Sequence, residues 1–224
     1  MPDAILSERE PVGGALHRVR LAVSADVAAS HTRHGQYVEL RHGETKGHFV
    51  LASAPGDAPW DLVVKRGGAL ADLLCDLPPG TAVVTSLAQG PGFPFDEARG
   101  RPLVLFATGS GIAAMLSTLR ARIATGDAPR TYLLYGVRER RDVALEAELE
   151  SIRKAGIDVA VCLSREHTQE EGFYKGYVQT VATARCWALA GGFAFAAGVR
   201  EMVAALRAAA PTLGLRPEDV RLNH

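Results

Sequence analysis

The period of the apolar pattern changes near residue 100, and a single-layer fold cannot satisfy both periods. Before that point, short β-rich pieces at 17–23, 36–41, 49–53, 60–65 and 81–86 are separated by turn residues, which predicts a small antiparallel β-barrel. One helical segment at 69–77 interrupts them and stops at Pro78 and Pro79, where a missing N–H and a ring clash forbid continuation. Beyond residue 100, strand-like and helix-like runs alternate: 103–107, 112–124, 131–136, 142–155, 157–162, an irregular loop, 178–182, 193–197 and 199–210. Such alternation predicts a parallel sheet covered by helices on both faces. The segment between the two patterns, GPGFPFDEARGRP, is rich in Gly and Pro, so a junction between units 1–98 and 99–224 is expected; one continuous loop inside a single domain is the alternative.

Length and composition limit the partners. A chain of 224 residues with 47% hydrophobic content can bury two cores of about 100 residues each. Its 25 basic and 25 acidic side chains balance, which gives no global electrostatic case for nucleic acid or an anionic membrane. Cys75, Cys162 and Cys186 are odd in number and widely spaced, against a disulfide framework or a bound metal, and a reducing cytoplasm is the expected location. The polar N-terminal stretch does not read as a signal peptide, and no apolar run reaches the roughly 18 residues of a membrane span.

Two stretches of the second half carry chemistry. In LVLFATGSGIAAML, residues 103–116, a strand runs into a helix through Gly109 and Gly111, so free backbone N–H groups and the helix dipole favour an anion such as a pyrophosphate. A glycine-rich turn that binds nothing fits the same letters. In CLSREHTQEEGFYKGYVQT, residues 162–180, Ser164 and Arg165 follow a strand and therefore lie at the carboxyl edge of the sheet, with Lys175 and Tyr177 returning shortly after. A hydroxyl, a guanidinium, an ammonium and a phenol suit a phosphate monoester next to a base, although Glu166, Glu170 and Glu171 also fit an ordinary solvated surface.

TGSGIAAM, LLYGVRERRDVALEAELE, SRE…KGYVQT and FAAGVREMV, in this order and spacing, resemble the ferredoxin–NADP reductase superfamily. The resemblance implies an N-terminal flavin-binding β-barrel followed by a Rossmann-like nicotinamide-dinucleotide domain. It implies that Thr108, Gly109, Gly111, Ile112 and Ala113 lie under the dinucleotide pyrophosphate, with Ala114 replacing the family's proline. It also implies that Ser164, Arg165, Lys175 and Tyr177 hold the 2′-phosphate and adenine of NADP(H), and that Ala197, Gly198 and Met202 match a motif whose cysteine, absent here, stands near the nicotinamide.

The barrel departs further from the family. Where the family has Arg-x-Tyr-Ser ahead of Ala52 and Ser53, this sequence reads Gly47-His48-Phe49-Val50, leaving Phe49 as the expected stacking residue. The hydroxyl of the next motif falls at Leu70, so Lys65 and the backbone at Gly67, Gly68 and Ala69 are the expected anion contacts. The family's terminal aromatic residue is replaced by Asn223 and His224. Met202 also reads as a core residue and His224 as a terminus. The resemblance implies a flavin-dependent oxidoreductase that moves a hydride from NADPH to weakly held FAD and electrons onward to an acceptor, such as a redox protein. The alternative is a non-catalytic dinucleotide-binding or electron-transfer partner protein on the same fold.

Overall fold

The computed structural model describes residues 2–185 and 187–223. Six antiparallel strands form the first sheet: β1 (Asp3–Gly13), β2 (Leu16–Ala22), β3 (Tyr37–His42), β4 (Thr45–Val50), β5 (Trp60–Lys65) and β6 (Ala82–Thr85), in the order β4-β3-β6-β1-β2-β5. A bridge between Leu51 and Leu62 joins its two edges, which closes the sheet into a barrel around Leu6, Leu21, Leu40, Trp60 and Leu62. Two short helices, α1 (Ala25–Ala29) and α2 (Ala69–Asp76), belong to this half, and α2 buries Leu70, Leu74 and Cys75 against the barrel.

After α3 (Phe95–Ala98) come six parallel strands: β7 (Leu103–Thr108), β8 (Thr131–Val137), β9 (Asp158–Leu163), β10 (Phe173–Lys175), β11 (Phe193–Ala197) and β12 (Val220–Leu222). Their order, β10-β9-β8-β7-β11-β12, makes the strands after β7 run outward on one side and then return to the other. The crevice between β7 and β11 is therefore the topological switch point, where open α/β sheets bind ligands. Both faces are buried, which explains the unbroken apolar run of β7: Leu103, Leu105 and Ala107 enter one core, Val104 and Phe106 the other. The first core lies beneath α4 (Ala113–Ala124) and α5 (Glu146–Lys154) and also takes in Leu16, Ala52 and Val63 of the barrel. Beneath α6 (Val178–Ala184) and α7 (Arg200–Ala209) lies the second.

The two halves are tied together at several points. Phe93 of the connecting segment stacks on Phe195 of β11, with ring centroids 4.7 Å apart and planes 2° from parallel. Glu148 on α5 pairs with Arg18 of β2 and with Arg120 of α4, whose guanidinium also donates to the Ala52 carbonyl at 3.1 Å. Leu145 donates its N–H to the Val12 carbonyl at 2.7 Å, from the left-handed conformation (φ 60°) that starts α5. That conformation corrects the helix expected over 142–155: a 3-10 turn at Arg140–Asp142 comes first, and the α-helix begins only at Glu146.

A buried histidine faces the connecting segment. His34 packs its ring on Phe95, at 4.7 Å between centroids, and burial pulls its pKa down to about 4, helped by His31 and Arg99 and opposed by Asp96. A histidine held neutral in the fold contributes stability that is complete above the unfolded value near 6.5 and is lost as pH falls through 4. That window corresponds to about 3 kcal/mol. Denaturant titrations of wild type and His34→Gln at pH 7 and pH 4.5 are expected to show the wild type losing more stability on acidification than the variant.

Candidate active site

A cleft of about 1360 Å³ opens between the barrel and the carboxyl edge of the parallel sheet. Its floor is built at the switch point. β7 ends at Thr108, the chain turns through a 3-10 segment at Gly109–Ile112, and α4 follows directly. Thr108, Gly109, Ser110 and Gly111 line the cleft, whereas Ile112 and Ala113 are buried behind it in the first core. Thr108 Oγ1 accepts the Val199 N–H at 3.3 Å, so the loop after β11 is fastened to the loop after β7. Ala197, Gly198 and Met202 reach the cleft from that second loop.

The two glycines of the turn have different jobs. Gly109 has φ 53°, a region that costs other residues energy, and open space beside it. Gly111 abuts β11 so closely that an added Cβ would stand 2.8 Å from the Ala197 carbonyl carbon and closer still to its oxygen. Backbone on both sides prevents relief. Gly111→Ala is therefore expected to destabilise the fold by about 1–3 kcal/mol, the usual cost of overpacking. Gly109→Ala, in contrast, should cost about 1 kcal/mol of backbone strain and act mainly on the ligand. Melting curves with and without dinucleotide separate the two effects.

One edge of the cleft is formed by the loops after β8 and β9. Ser164 is half-buried and donates its hydroxyl to the Val137 carbonyl at 3.3 Å, and the Arg165 N–H bonds the Arg138 carbonyl at 2.9 Å. These bonds bring Arg138 and Arg165 to one cleft wall. The neighbouring acids are occupied elsewhere: Glu166 accepts the Arg140 N–H at 2.6 Å, and Glu170 and Glu146 pair with the Arg140 guanidinium at 2.9 and 2.7 Å. Among the described residues neither Arg138 nor Arg165 has a carboxylate partner, so both guanidiniums are free to meet an anion. Tyr177 lines the same wall with 64% of its surface exposed. Lys175 is exposed on β10 and does not line the cleft. Arg138 stands in the quoted YGVRERRD stretch, but three arginines crowd those eight letters, and only the ion pairs of Arg140 and Arg141 reveal which one is left over.

On the barrel side the structure redistributes the expected contacts. Val50 and Lys65 line the cleft, together with Tyr37 and His48, whose rings meet edge-on at 5.5 Å. Phe49 does not: it alternates with His48 and Val50 along β4 and packs its ring over Gly47 against the barrel core. Ala52 and Ser53 are buried below the surface. Gly67, Gly68 and Ala69 lie outside the cleft lining, and the Gly67 N–H is taken by the Asp72 carboxylate at 2.9 Å. Asn223 reaches the cleft after β12, its amide donating to the Gly35 carbonyl at 3.0 Å; His224 lies outside the described residues. Burial pushes the Cys162 thiol, at the back of the cleft, up to about 12, so it stays protonated and inert as a nucleophile.

The donor set fits an NADP-type dinucleotide on the parallel-sheet wall, where a glycine turn at a helix start and two free guanidiniums face the same space. It fits the ring end of a flavin on the barrel wall, where two aromatic side chains, Val50 and Lys65 converge. The corner at Gly47, Leu70 and Asp72 fits no diphosphate. Among the described residues there is no group of three or more His, Cys, Asp or Glu placed to hold a metal, and no helix long and apolar enough to cross a membrane.

An antiparallel barrel joined to a doubly wound parallel sheet, with the ligand cleft between them, defines the two-unit reductase fold. Residues 105–208 match the model of the oxidoreductase NAD-binding domain. Ferredoxin–NADP reductase B of Sorangium cellulosum is 36% identical over 156 residues, covering 65% of this chain and 62% of that protein. The reductase component of propane 2-monooxygenase from Rhodococcus jostii is 30% identical over 165 residues, 69% of this chain and 44% of its own. The chain thus spans less than two thirds of these curated relatives. In fold it is similar to the Amycolatopsis cytochrome P450 reductase GcoB, with TM-score 0.85 at 24% identity over 99% of this chain and 69% of that one. It is likewise similar to the Neisseria gonorrhoeae ferredoxin NADP+ reductase solved with FAD and NADP, with TM-score 0.79 at 16% identity over 98% and 96%. Residues 105–208 thus match an oxidoreductase NAD-binding domain, and the chain is similar in sequence and in fold to ferredoxin–NADP reductases.

Proposed function

We propose that this protein is an NAD(P)H-dependent flavin oxidoreductase that prefers NADPH, with residues 99–224 holding the nicotinamide dinucleotide and residues 1–98 receiving the flavin. One observation carries the reading: a single cleft is lined by Tyr37, His48, Val50 and Lys65 of the barrel and by Thr108, Gly111, Arg165 and Ala197 of the parallel sheet. Two bound rings held in one cleft need no diffusion between them, which is the main contribution a protein makes to hydride transfer. The flavin supplies the chemistry, accepting a hydride and releasing electrons to a further acceptor.

The chain's own residues bind and orient. The turn at Gly109–Ile112 offers N–H groups to the pyrophosphate, Arg138 and Arg165 meet the 2′-phosphate, and Tyr177 gives the adenine a ring to stack on. Ala197 leaves room at the nicotinamide end but offers no thiol, so positioning there falls to the Gly198 backbone and to Met202. The acceptor is proposed to be a small redox protein, by likeness to relatives named as ferredoxin reductases and an oxygenase reductase component. The test is steady-state NADPH oxidation with an artificial electron acceptor. Turnover should require added flavin and fall when NADH replaces NADPH. Binding of NADPH without flavin-dependent turnover would instead favour a dinucleotide-binding partner protein.

A further inference from the structure

The barrel wall of the cleft is poor in free charge. Of the barrel residues that line it, Ala15, Leu16, Tyr37, His48, Val50 and Lys65, only Lys65 carries a fixed positive charge. The other arginines and Lys46 of the barrel lie outside the cleft lining, and each has a partner there. Arg18 is held by Glu148 and Glu10, Arg20 by Glu8 and Asp61, Arg41 and Lys46 by Glu39, and Arg66 by Asp76 through bonds of 3.0 and 2.6 Å. Arg9 and Arg33 donate to the carbonyls of Leu77 and Pro91.

The remaining source of donors on this side is the start of α2, where a carboxylate already stands. Asp72 places a carboxylate on the Gly67 N–H at 2.9 Å, so the helix start already carries its negative charge. Beside it Phe49 and Leu70 close over Gly47: an added Cβ there would stand 3.2 Å from the Phe49 ring and 3.8 Å from Leu70 Cδ2. A diphosphate brings two negative charges and needs several donors to replace its water. The Asp72 carboxylate repels it, the apolar corner offers it no donors, and the single Lys65 ammonium offsets only one of its charges. An isoalloxazine ring on a neutral ribityl chain asks for flat and apolar contact with a few polar groups. Tyr37 and His48 offer two rings at 75° to one another, Leu16 and Val50 apolar surface, and Lys65 a donor.

We infer that the protein recognises a flavin through its isoalloxazine–ribityl end alone, so that riboflavin, FMN and FAD are interchangeable and the flavin exchanges with solution. The inference rests on the reading above that the cleft receives a flavin beside NADPH. In the corresponding reaction the nicotinamide C4 gives up a hydride, with its two electrons, and water gives up one proton. The products are NADP+ and a dihydroflavin, both free to leave.

The experiment titrates the full chain with riboflavin, FMN and FAD in turn, following quenching of flavin fluorescence, with NADPH binding measured in parallel. The three dissociation constants are expected to agree within about tenfold, a spread that one ammonium near a terminal phosphate can produce. Tyr37→Ala should weaken all three together. FAD binding about 100-fold or more tighter than riboflavin would show that the AMP half is held, overturning this inference and leaving the oxidoreductase reading intact. Binding of NADPH with no binding of any flavin would overturn both.

Discussion

Replacing Arg138 and Arg165 together by alanine is expected to weaken NADPH binding by about 100-fold or more while leaving NADH within a few-fold of wild type. The two guanidiniums line one wall of the cleft and have no carboxylate partner among the described residues, because Arg140 absorbs Glu146 and Glu170. Charge-assisted bonds to a phosphate contribute about 1.5–3 kcal/mol each, and the exposure of both Arg138 and Arg165 places this pair at the lower end. Lys175→Ala is the control. Its ammonium is exposed outside the cleft lining, so the loss should stay below about threefold, the scale of a screened surface charge. Isothermal titration with both dinucleotides measures all three variants. A Lys175 effect equal to that of the arginines would restore the contact implied by the sequence motif.

The second large effect is on folding. Arg122 is fully buried and donates to Thr131 Oγ1, the Ala98 carbonyl and the Arg101 carbonyl, each at 2.7 Å, while Asp127 stands 3.3 Å away as its counter-charge. One side chain thus holds α4, the start of β8 and the segment that leads from the barrel into the parallel sheet. Burial pulls its pKa below the ordinary guanidinium value, yet Asp127 keeps the charge compensated. Removing one partner of a buried, hydrogen-bonded ion pair costs about 3–5 kcal/mol, since the other groups are left unpaired. Arg122→Ala should therefore lose about that much in denaturant unfolding, and Arg122→Lys should recover little because one ammonium cannot replace a planar fork.

The sequence disclosed the elements that are buried on a regular period. The runs at 103–107, 131–136 and 193–197 coincide closely with β7, β8 and β11, whose two buried faces make them continuously apolar. Elements stabilised by pairing rather than burial were hidden. In β1 only Ala4 and Leu6 point into the barrel, and the stretch from Glu8 to Gly13 pairs with β2 alone, so no alternation marks it. β10 and β12 are three-residue edge strands, too short for any period. The strand expected at 49–53 runs instead from Thr45 to Val50 as β4, because its first four residues, Thr-Lys-Gly-His, carry no apolar signal.

The candidate site divides the same way. Positions fixed by backbone geometry, Thr108 to Gly111 and Ser164 to Arg165, were legible because glycine and the strand end dictate where they lie. Positions fixed by which face of a strand meets the cleft were not. Phe49 and His48 are neighbours on β4, and one step of register sends one ring to the core and the other to the cleft. Tyr37 lies opposite Val50 across the β3–β4 pair, a relation that only the register reveals. Arg138 emerged only from the ion pairs that occupy Arg140 and Arg141, and Lys175 fell outside the cleft lining through its place on the edge strand β10.

The most direct test of the central claim is anaerobic rapid mixing of the protein, saturated with flavin, against NADPH and against NADPH deuterated at C4. A cleft that holds both rings should bleach the flavin absorbance in a phase that saturates with NADPH and slows by about two- to fivefold on deuteration, because C–H cleavage then limits a preassembled complex. An unbleached flavin in a protein that binds both NADPH and flavin would contradict it.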